Sequence, residues 1–150
     1  MKNILIFSLL FVISCGYQPL YVDKKNNNDF KFQEIKLAGN QNLDRRISSL
    51  LSLEENKTDE TLNKIILSTK KNNVETSKNV KGQVISYRTF IEIKLIILDN
   101  KDNILREKTF IKDFLYNVDD NKFKLAEYQK EIENNLIAKI AEEIILFINL

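Results

Sequence analysis

A long alternation of side chains over residues 84–99 constrains the fold of this chain more than any other feature. One set of alternate positions is apolar or carries a hydroxyl group: Ile85, Tyr87, Thr89, Ile91, Ile93, Leu95 and Ile97. Charged residues punctuate the other set, which includes Arg88, Glu92 and Lys94. Because successive side chains of a strand point to opposite faces of a sheet, the pattern predicts a half-buried antiparallel strand.

A turn and a second alternating segment follow this strand. Residues 100–103 are Asn-Lys-Asp-Asn, a composition that is typical of turns. Over residues 104–116, one set of alternate positions holds Leu105, Thr109, Ile111 and Leu115, and the other set holds Arg106, Lys108, Phe110 and Lys112. The two segments and their short connection predict an antiparallel hairpin.

Residues 121–148 contain neither glycine nor proline and have a helical repeat. We expect Asp119 and Asp120 to favour the start of this helix. The repeat predicts a helix that packs against a sheet, and the alternative is a helix that lies on a membrane, which its acidic polar face disfavours. The apolar stripe recurs at steps of three and four residues: Leu125, Tyr128, Ile132, Leu136, Ile137, Ile140, Ala141, Ile144, Ile145 and Ile148.

The patterns before residue 54 are shorter. Residues 30–37 alternate only in part, so they predict a strand with one irregularity. Gly39 and Asn40 end this segment. A helix is predicted over residues 41–53, with Asp44, Arg45, Arg46 and Ser48 on its polar side and with an apolar stripe of Leu43, Ile47, Leu50 and Leu51.

Residues 62–70 predict the next strand, because a run of β-branched and apolar residues lies at their centre. The polar residues 71–81 fit either a hairpin loop or an extension of two long strands. The order of elements is then strand, helix, three strands and helix. This order predicts an α+β fold for residues 30–150, a two-layer sandwich in which an antiparallel four-stranded sheet packs against two helices.

Composition excludes several classes of function. The chain has 150 residues and a net charge of +2, from 23 basic and 21 acidic residues, so it lacks the basic excess of a nucleic-acid-binding protein. It has no histidine, which removes most hydrolytic triads and most zinc sites. The adjacent pairs Asp119–Asp120 and Glu142–Glu143 do not converge on a substrate, because neighbouring helical residues point apart. We therefore expect no catalytic site, no metal site and no cofactor.

The N-terminal residues have the pattern of a signal peptide. Lys2 supplies a positive start, an apolar run extends from Ile4 to Ile13, and the small residue Ser14 follows it. An apolar run of this length is too short to span a bilayer, which takes about 20 residues. We expect residues 1–14 to be the signal peptide.

Val12-Ile13-Ser14-Cys15 resembles the lipobox of bacterial lipoproteins, in which the cysteine thiol accepts a lipid. This resemblance implies that Cys15 is the first residue of the mature chain and carries acyl groups such as palmitate, and two or more acyl chains anchor a protein stably. Residues 15–29 would form the lipidated N-terminus and a polar tether. Inner-membrane lipoproteins of enterobacteria have aspartate directly after the cysteine. This chain has Gly16 there, which favours the outer membrane. An ordinary signal peptide or a chance cysteine is the alternative.

Cys15-Gly16-Tyr17-Gln18-Pro19-Leu20-Tyr21 is a more specific signal. It resembles the mature N-terminus of the lipopolysaccharide-assembly lipoprotein LptE family, whose members often begin with Cys-Gly and an aromatic residue and continue with Leu-Tyr. The order of elements and the long C-terminal helix also resemble that family over nearly the whole chain. Beyond these seven residues the similarity lies in the pattern of strands and helices and not in specific motifs.

The resemblance implies a non-catalytic lipoprotein on the periplasmic face of the outer membrane. It would plug and support the LptD-type β-barrel in lipopolysaccharide transport and assembly. Tyr17, Pro19, Leu20 and Tyr21 would then contact the barrel close to the membrane, and the alternative for them is an amphipathic linker near the bilayer. For the whole chain, the alternative is a lipid-anchored periplasmic binding module for another envelope partner.

Basic residues near residues 71–81 are candidates for contact with the phosphates of lipopolysaccharide. Charged nitrogen donors bind phosphate oxygens strongly, and a cluster of them attracts an anionic ligand. The alternative is a solvated loop in a lysine-rich protein. The candidates are Lys70, Lys71, Lys78, Lys81 and Arg88.

Overall fold

The computed structural model of the chain describes residues 30–150. Over this range the backbone forms six strands and two helices. In chain order they are β1 (Phe30–Phe32), β2 (Glu34–Leu37), α1 (Gln41–Leu50), β3 (Leu53–Glu55), β4 (Lys64–Lys78), β5 (Val84–Leu98), β6 (Ile104–Asn117) and α2 (Lys122–Asn149).

A four-stranded sheet in the order β2-β4-β5-β6 forms one layer, and the two helices form the other. The predicted α+β sandwich is confirmed, but the sheet is mixed rather than purely antiparallel. β4 pairs antiparallel with β5, and β5 with β6, whereas β2 lies parallel to β4 with Ile35 beside Ile65. The parallel pair arises because the chain crosses over through α1 before it returns to the sheet.

The strand predicted over residues 30–37 is divided at Gln33. Its first part, β1, pairs with the short strand β3, which the sequence patterns did not reveal, and its second part pairs with β4. At the division, the Gln33 N–H donates to the Asn63 carbonyl over 2.8 Å, while the Phe32 carbonyl accepts from the Asn56 N–H. The expected irregularity is therefore a change of partner strand.

The core lies between the helices and one face of the sheet. Both layers contribute, and the central strand β5 supplies a row of buried alternate residues from Thr89 to Ile97, as its pattern predicted. Ile85, at the start of the predicted row, is exposed. On α2 the middle of the predicted stripe is buried, from Ile132 to Ile144. The largest fully buried side chains include Phe110, Ile47, Leu67, Ile91, Leu95, Ile137 and Ile140.

Helix α1 differs from its prediction in length and in the residues it buries. It ends at Leu50 and not at residue 53, and Ser52 follows it with a φ of 50°, in the left-handed region. Leu50 is exposed, while Asp44 on the expected polar side is completely buried. The carboxylate is buried because it accepts hydrogen bonds from the backbone N–H groups of Gly39 and Thr69.

Helix α2 begins at Lys122, two residues after the acidic pair that was expected to start it. Its N-cap is Asn121, whose side-chain oxygen accepts from the N–H groups of Phe123 and Lys124 over 3.0 and 3.2 Å. Asp119 does not cap the helix itself, and its carboxylate accepts a hydrogen bond from the Asn121 N–H over 2.8 Å. The cap is therefore an asparagine that an aspartate holds in place.

Candidate functional site

Five residues singled out from the sequence lie outside the residues that the structure describes. They are the expected lipidation site Cys15 and the expected barrel contacts Tyr17, Pro19, Leu20 and Tyr21. The expected signal peptide over residues 1–14 and tether over residues 15–29 lie outside them as well. All of these remain predictions.

The remaining candidates lie on the hairpin of β4 and β5. Its strands extend through most of residues 71–81, so only residues 79–83 form the connecting turn. Of the two alternatives for this polar stretch, the structure has the extension: β4 continues to Lys78 and pairs with β5 down to Val84, with a shift of register near Ser77. The outer half of β4, from Lys70 to Lys78, is exposed throughout. The outer half of β4 is therefore a polar strand, while β5 beside it stays paired with β6 as far as Ser86.

The tip of the hairpin is held by one asparagine. The Asn79 side-chain oxygen accepts from the N–H groups of Lys81 and Gln83, over 2.9 and 3.0 Å, and its amide nitrogen donates to the Gln83 side chain over 2.8 Å. Gly82 has a φ of 78°, which glycine adopts without strain. These contacts order the turn, so that Val80 and Lys81 project into solvent.

A group of small polar side chains joins the two strands below the tip. The Ser86 hydroxyl lies 2.7 Å from the Thr76 hydroxyl and also bonds to the Ser77 hydroxyl. The Thr89 hydroxyl donates to the Asn73 side chain over 2.7 Å. Ser86 and Thr89 are buried, so these bonds hold β4 to β5 along the half of the hairpin where β4 itself contributes no buried side chain.

The five basic candidates do not converge on one point. Lys70 and Arg88 lie on the sheet face that points away from the helices, which we call the outer face, where Lys70 pairs with Glu92 and Arg88 with Asp113, over 3.5 and 3.6 Å. Lys71 lies on the opposite, helix-covered face. These three cations therefore already face carboxylates.

Lys78 and Lys81 lie closest to the tip. The Lys78 ammonium is 3.0 Å from the Glu75 carboxylate, and both side chains are about half exposed. Within residues 30–150, Lys81 alone among the five candidates forms no ion pair. The tip therefore carries the most accessible positive charge of the candidate set.

Lys71 belongs to a cluster that connects all the layers. The Glu133 carboxylate of α2 accepts from Arg46 of α1 and from Lys71 of β4, and Arg46 also donates to the Asn134 side chain. Burial raises the pKa of Glu133, but the bonds from Lys71 and Arg46 outweigh it, so the pKa is lowered from its ordinary value of 4.5. Glu133 lies off the apolar stripe predicted for α2, and the helical repeat cannot show that a strand lies beside it.

The outer face of the sheet alternates apolar side chains with ion pairs. Besides the two pairs of Lys70 and Arg88, Lys94 of β5 bonds to Glu107 of β6 over 2.6 Å. Between these pairs lie side chains that are partly or largely exposed: Ile66, Val74, Phe90, Ile96, Ile111 and Leu115. The charges are paired within the sheet, so this face mixes ion pairs with apolar side chains and has no net field of one sign.

The described residues form clefts beside α1 and at the start of α2. One, of about 440 Å³, is lined by Leu37, Leu53 and polar residues around Arg45, and the other, of about 520 Å³, lies between residues 117–120 and the start of α2. Within residues 30–150, no three acidic, cysteine or histidine side chains are grouped so that they could hold a metal ion. In the same range, no helix combines the length and the apolar character needed to cross a membrane.

Comparisons with known proteins give matches at the level of structure. No protein-family model matches the chain, and no curated protein matches it. The rare lipoprotein B from Shewanella oneidensis superposes with a TM-score of 0.58 at 10% identity, over 77% of this chain and 93% of that one. A minor lipoprotein from Acinetobacter baumannii gives 0.54 at 14% identity, over 78% and 88%.

A third similar structure is a neuraminyllactose-binding hemagglutinin homolog from Helicobacter pylori, with a TM-score of 0.52 at 12% identity, over 86% of this chain and 88% of that one. The lipoprotein B and minor lipoprotein structures are of the LptE type. Residues 30–150 therefore have the fold of the LptE-type lipoproteins, as the resemblance implied.

Proposed function

We propose that this chain is an outer-membrane lipoprotein that plugs and supports an LptD-type β-barrel in lipopolysaccharide transport and assembly. The observation that carries the proposal is the joining of two features in one chain: the heptad Cys15–Tyr21 and the LptE-type fold of residues 30–150. A lipobox occurs in many unrelated lipoproteins, and a fold can serve many functions. Their combination favours this export machine.

The proposed role divides the chain into an anchor and a plug. Acyl groups such as palmitate on Cys15 would hold the protein at the periplasmic face of the outer membrane, because several acyl chains bind a bilayer stably. Residues 15–29 would connect the anchor to the folded domain. Tyr17, Pro19, Leu20 and Tyr21 would contact the barrel where the chain leaves the membrane.

The folded domain is suited to occupy a polar lumen without catalysis. Its single core joins both helices to the sheet, so it resists deformation. Its outer face is crossed by the ion pairs of Lys70, Arg88 and Lys94, and lumen-facing side chains of transmembrane barrels are polar. The role would therefore be occupancy and scaffolding.

Direct contact with lipopolysaccharide is the finer part of the proposal. Lys81 and Lys78 at the ordered hairpin tip are the best placed to meet its phosphates. Lys70, Lys71 and Arg88 would first have to exchange a carboxylate partner for a phosphate, which reduces their net gain.

Co-purification tests the proposed partnership. Membranes containing the full chain are solubilised in mild detergent, and the chain is recovered through a C-terminal tag. We expect a large β-barrel to accompany it, and a Tyr17→Ser, Tyr21→Ser double variant to recover less barrel. A lone monomer, together with normal surface lipopolysaccharide after depletion of the chain, would rule the proposal out.

A second candidate function is a lipid-anchored periplasmic binding module for another envelope partner. The hemagglutinin homolog supports this second candidate, because that protein has a similar fold and its name specifies a different ligand, neuraminyllactose. The same co-purification separates the two functions. Specific recovery of a partner other than a β-barrel would favour the binding module.

A further inference from the structure

Strand β6 forms one edge of the four-stranded sheet, and no other element of residues 30–150 pairs with its free side. It is 14 residues long, from Ile104 to Asn117. The opposite edge is formed by β2, which has only 4 residues, and beyond it by the outer half of β4, whose side chains are nearly all polar. Proteins usually keep edge strands short or cover them, because unpaired backbone groups are a template for another strand. A long open edge therefore requires a reason.

The register of the sheet identifies the backbone groups that face this open edge. The Val118 N–H donates to the Ile85 carbonyl over 2.9 Å, and in an antiparallel ladder every second residue bonds to the same neighbour. The even-numbered residues of β6 therefore bond to β5. The odd-numbered residues direct their N–H and C=O groups outwards, and all have exposed side chains: Leu105, Glu107, Thr109, Ile111, Asp113 and Leu115.

The two faces of β6 differ in chemistry. On the outer face, Leu105, Ile111 and Leu115 are each about half exposed. On the helix-side face, the charged residues of β6 are all basic. These cations are Arg106, Lys108 and Lys112.

Two of these cations have no carboxylate partner within residues 30–150. Lys112 pairs with Glu143 of α2, but the Arg106 guanidinium lies over the Phe147 ring, 4.1 Å from its centre. The Lys108 ammonium lies 4.9 Å from the centre of the Phe110 ring. A strand added beside β6 would thus meet unpaired positive charge on one face and apolar side chains on the other.

We propose that β6 binds an extended segment of another protein as an added strand, and that acidic side chains alternate with apolar ones in this segment. Its backbone would pair with the outward groups of residues 105–115. Its acidic side chains would lie opposite Arg106 and Lys108, and its apolar side chains would lie beside Ile111. The proposal is independent of the barrel partnership, since neither the anchor nor the hairpin tip takes part.

A second copy of this chain does not supply such a strand. If the β6 strands of two copies paired edge to edge, their helix-side faces would lie next to each other. The charged residues of β6 on that face are all basic: Arg106, Lys108 and Lys112. Like charges across a sheet are destabilising. The composition of residues 16–29 does not match such a strand, because they carry two acidic and two basic residues and so have no acidic excess.

Peptide binding to the full chain in detergent micelles tests the proposal. The probe is a fluorescent peptide of about eight residues in which valine and glutamate alternate, a typical strand length. A matched peptide has lysine in place of glutamate. We expect the glutamate peptide to bind at least about tenfold more tightly at low salt, with a difference that shrinks as salt rises. Hydrogen exchange should slow at the amides of Thr109, Ile111 and Asp113.

Two variants test the edge and the charge separately. Ile111→Pro removes an N–H that points outwards and leaves the ladder to β5 intact, so it should abolish binding without unfolding the sheet. Lys108→Glu leaves one cation and one anion opposite the peptide, so it should largely remove the preference for the glutamate peptide, and it keeps the test decisive if the proline variant does not fold. The matched control is Lys139→Glu on the exposed side of α2, which should change neither affinity.

Three results would overturn the proposal. The first is equal affinity of the wild-type chain for the two peptides. The second is binding that leaves exchange at Thr109 and Ile111 unchanged. The third is a dimer in sedimentation whose edge amides are already protected before any peptide is added, because a second copy would then occupy β6.

Discussion

Asp44 of helix α1 accepts a hydrogen bond from the backbone N–H of Thr69 in strand β4, over 2.9 Å, although its side chain is completely buried. Its other carboxylate oxygen accepts from the Gly39 N–H over 2.7 Å. The carboxylate therefore joins α1, the β2–α1 connection and the sheet at one point. This is where the chain crosses over to make β2 parallel to β4, so the contact stabilises the crossover of the mixed sheet.

Asp44→Ala should destabilise the fold strongly. The change leaves two backbone N–H groups without an acceptor in a buried place, so we expect the free energy of unfolding to fall by about 3 kcal/mol. Asp44→Asn keeps one acceptor oxygen and should lose less. Urea unfolding followed by circular dichroism measures both. The exposed Asp120→Ala is the matched control, and equal stability of Asp44→Ala and this control would contradict the assignment.

Gly39 should tolerate no side chain, in contrast to Gly82. A Cβ atom at Gly39 would lie 2.2 Å from the Thr69 nitrogen and 2.4 Å from its carbonyl oxygen, so Gly39→Ala must push α1 from the sheet. At Gly82 the space is open and only the positive φ opposes alanine. We expect losses of about 3 kcal/mol for Gly39→Ala and about 1 kcal/mol for Gly82→Ala. Thermal melts that show the reverse order would refute this reading.

Glu133 should make stability depend on acid pH. Its folded-state pKa is lowered, so its contribution is present above the unfolded value and is lost as pH falls through the folded one. Glu133→Gln should therefore be less stable than the wild type at neutral pH, by about 1 kcal/mol. It should also lose less stability on acidification below about pH 5.

Melting temperatures between neutral and acid pH measure this difference. Glu131→Gln is a suitable control, because Glu131 is exposed on the same helix and forms no ion pair within residues 30–150. The control should follow the wild-type curve. A Glu133→Gln curve that runs parallel to the wild type over the whole range would show that the cluster does not couple to stability.

Cys15→Ser should block lipid attachment, because a serine hydroxyl does not replace the thiol that accepts the lipid. We expect the variant to lose metabolic labelling with radioactive palmitate and to leave the membrane fraction. The folded domain should keep its melting temperature, since residues 30–150 hold the core. Continued labelling of the variant would show that the lipid is not attached to Cys15.

Reversal of charge at the hairpin tip should weaken lipopolysaccharide binding. The double variant Lys78→Glu, Lys81→Glu replaces two exposed cations with anions, so phosphate groups would be repelled. We expect at least about a tenfold loss of affinity in a pull-down at low salt. Lys122→Glu and Lys139→Glu together form the control of equal charge. Unchanged binding by the tip variant would remove this assignment.

Much of the element order followed from residue patterns, because burial repeats with the period of each element. The helix predicted over residues 121–148 is α2, Lys122–Asn149, and the strand predicted over residues 84–99 is β5, Val84–Leu98. The candidate site was less accessible to such arguments. Lys71 and Glu133 are far apart in the chain and no pattern couples them, so only the packed structure brings them together.

The sequence by itself determined where the long strands and the C-terminal helix form, since the 2.0 and 3.6 residue periods depend only on nearby side chains. It could not determine which face of β6 is covered, because both faces carry apolar residues. In the structure α2 covers the face with Phe110 and Tyr116, and the face with Ile111 and Leu115 stays exposed. The parallel pairing of β2, the burial of Asp44 and the open edge of β6 likewise depend on contacts between distant segments. Only the tertiary structure decides those, because a charged or apolar side chain acquires its role from what packs against it.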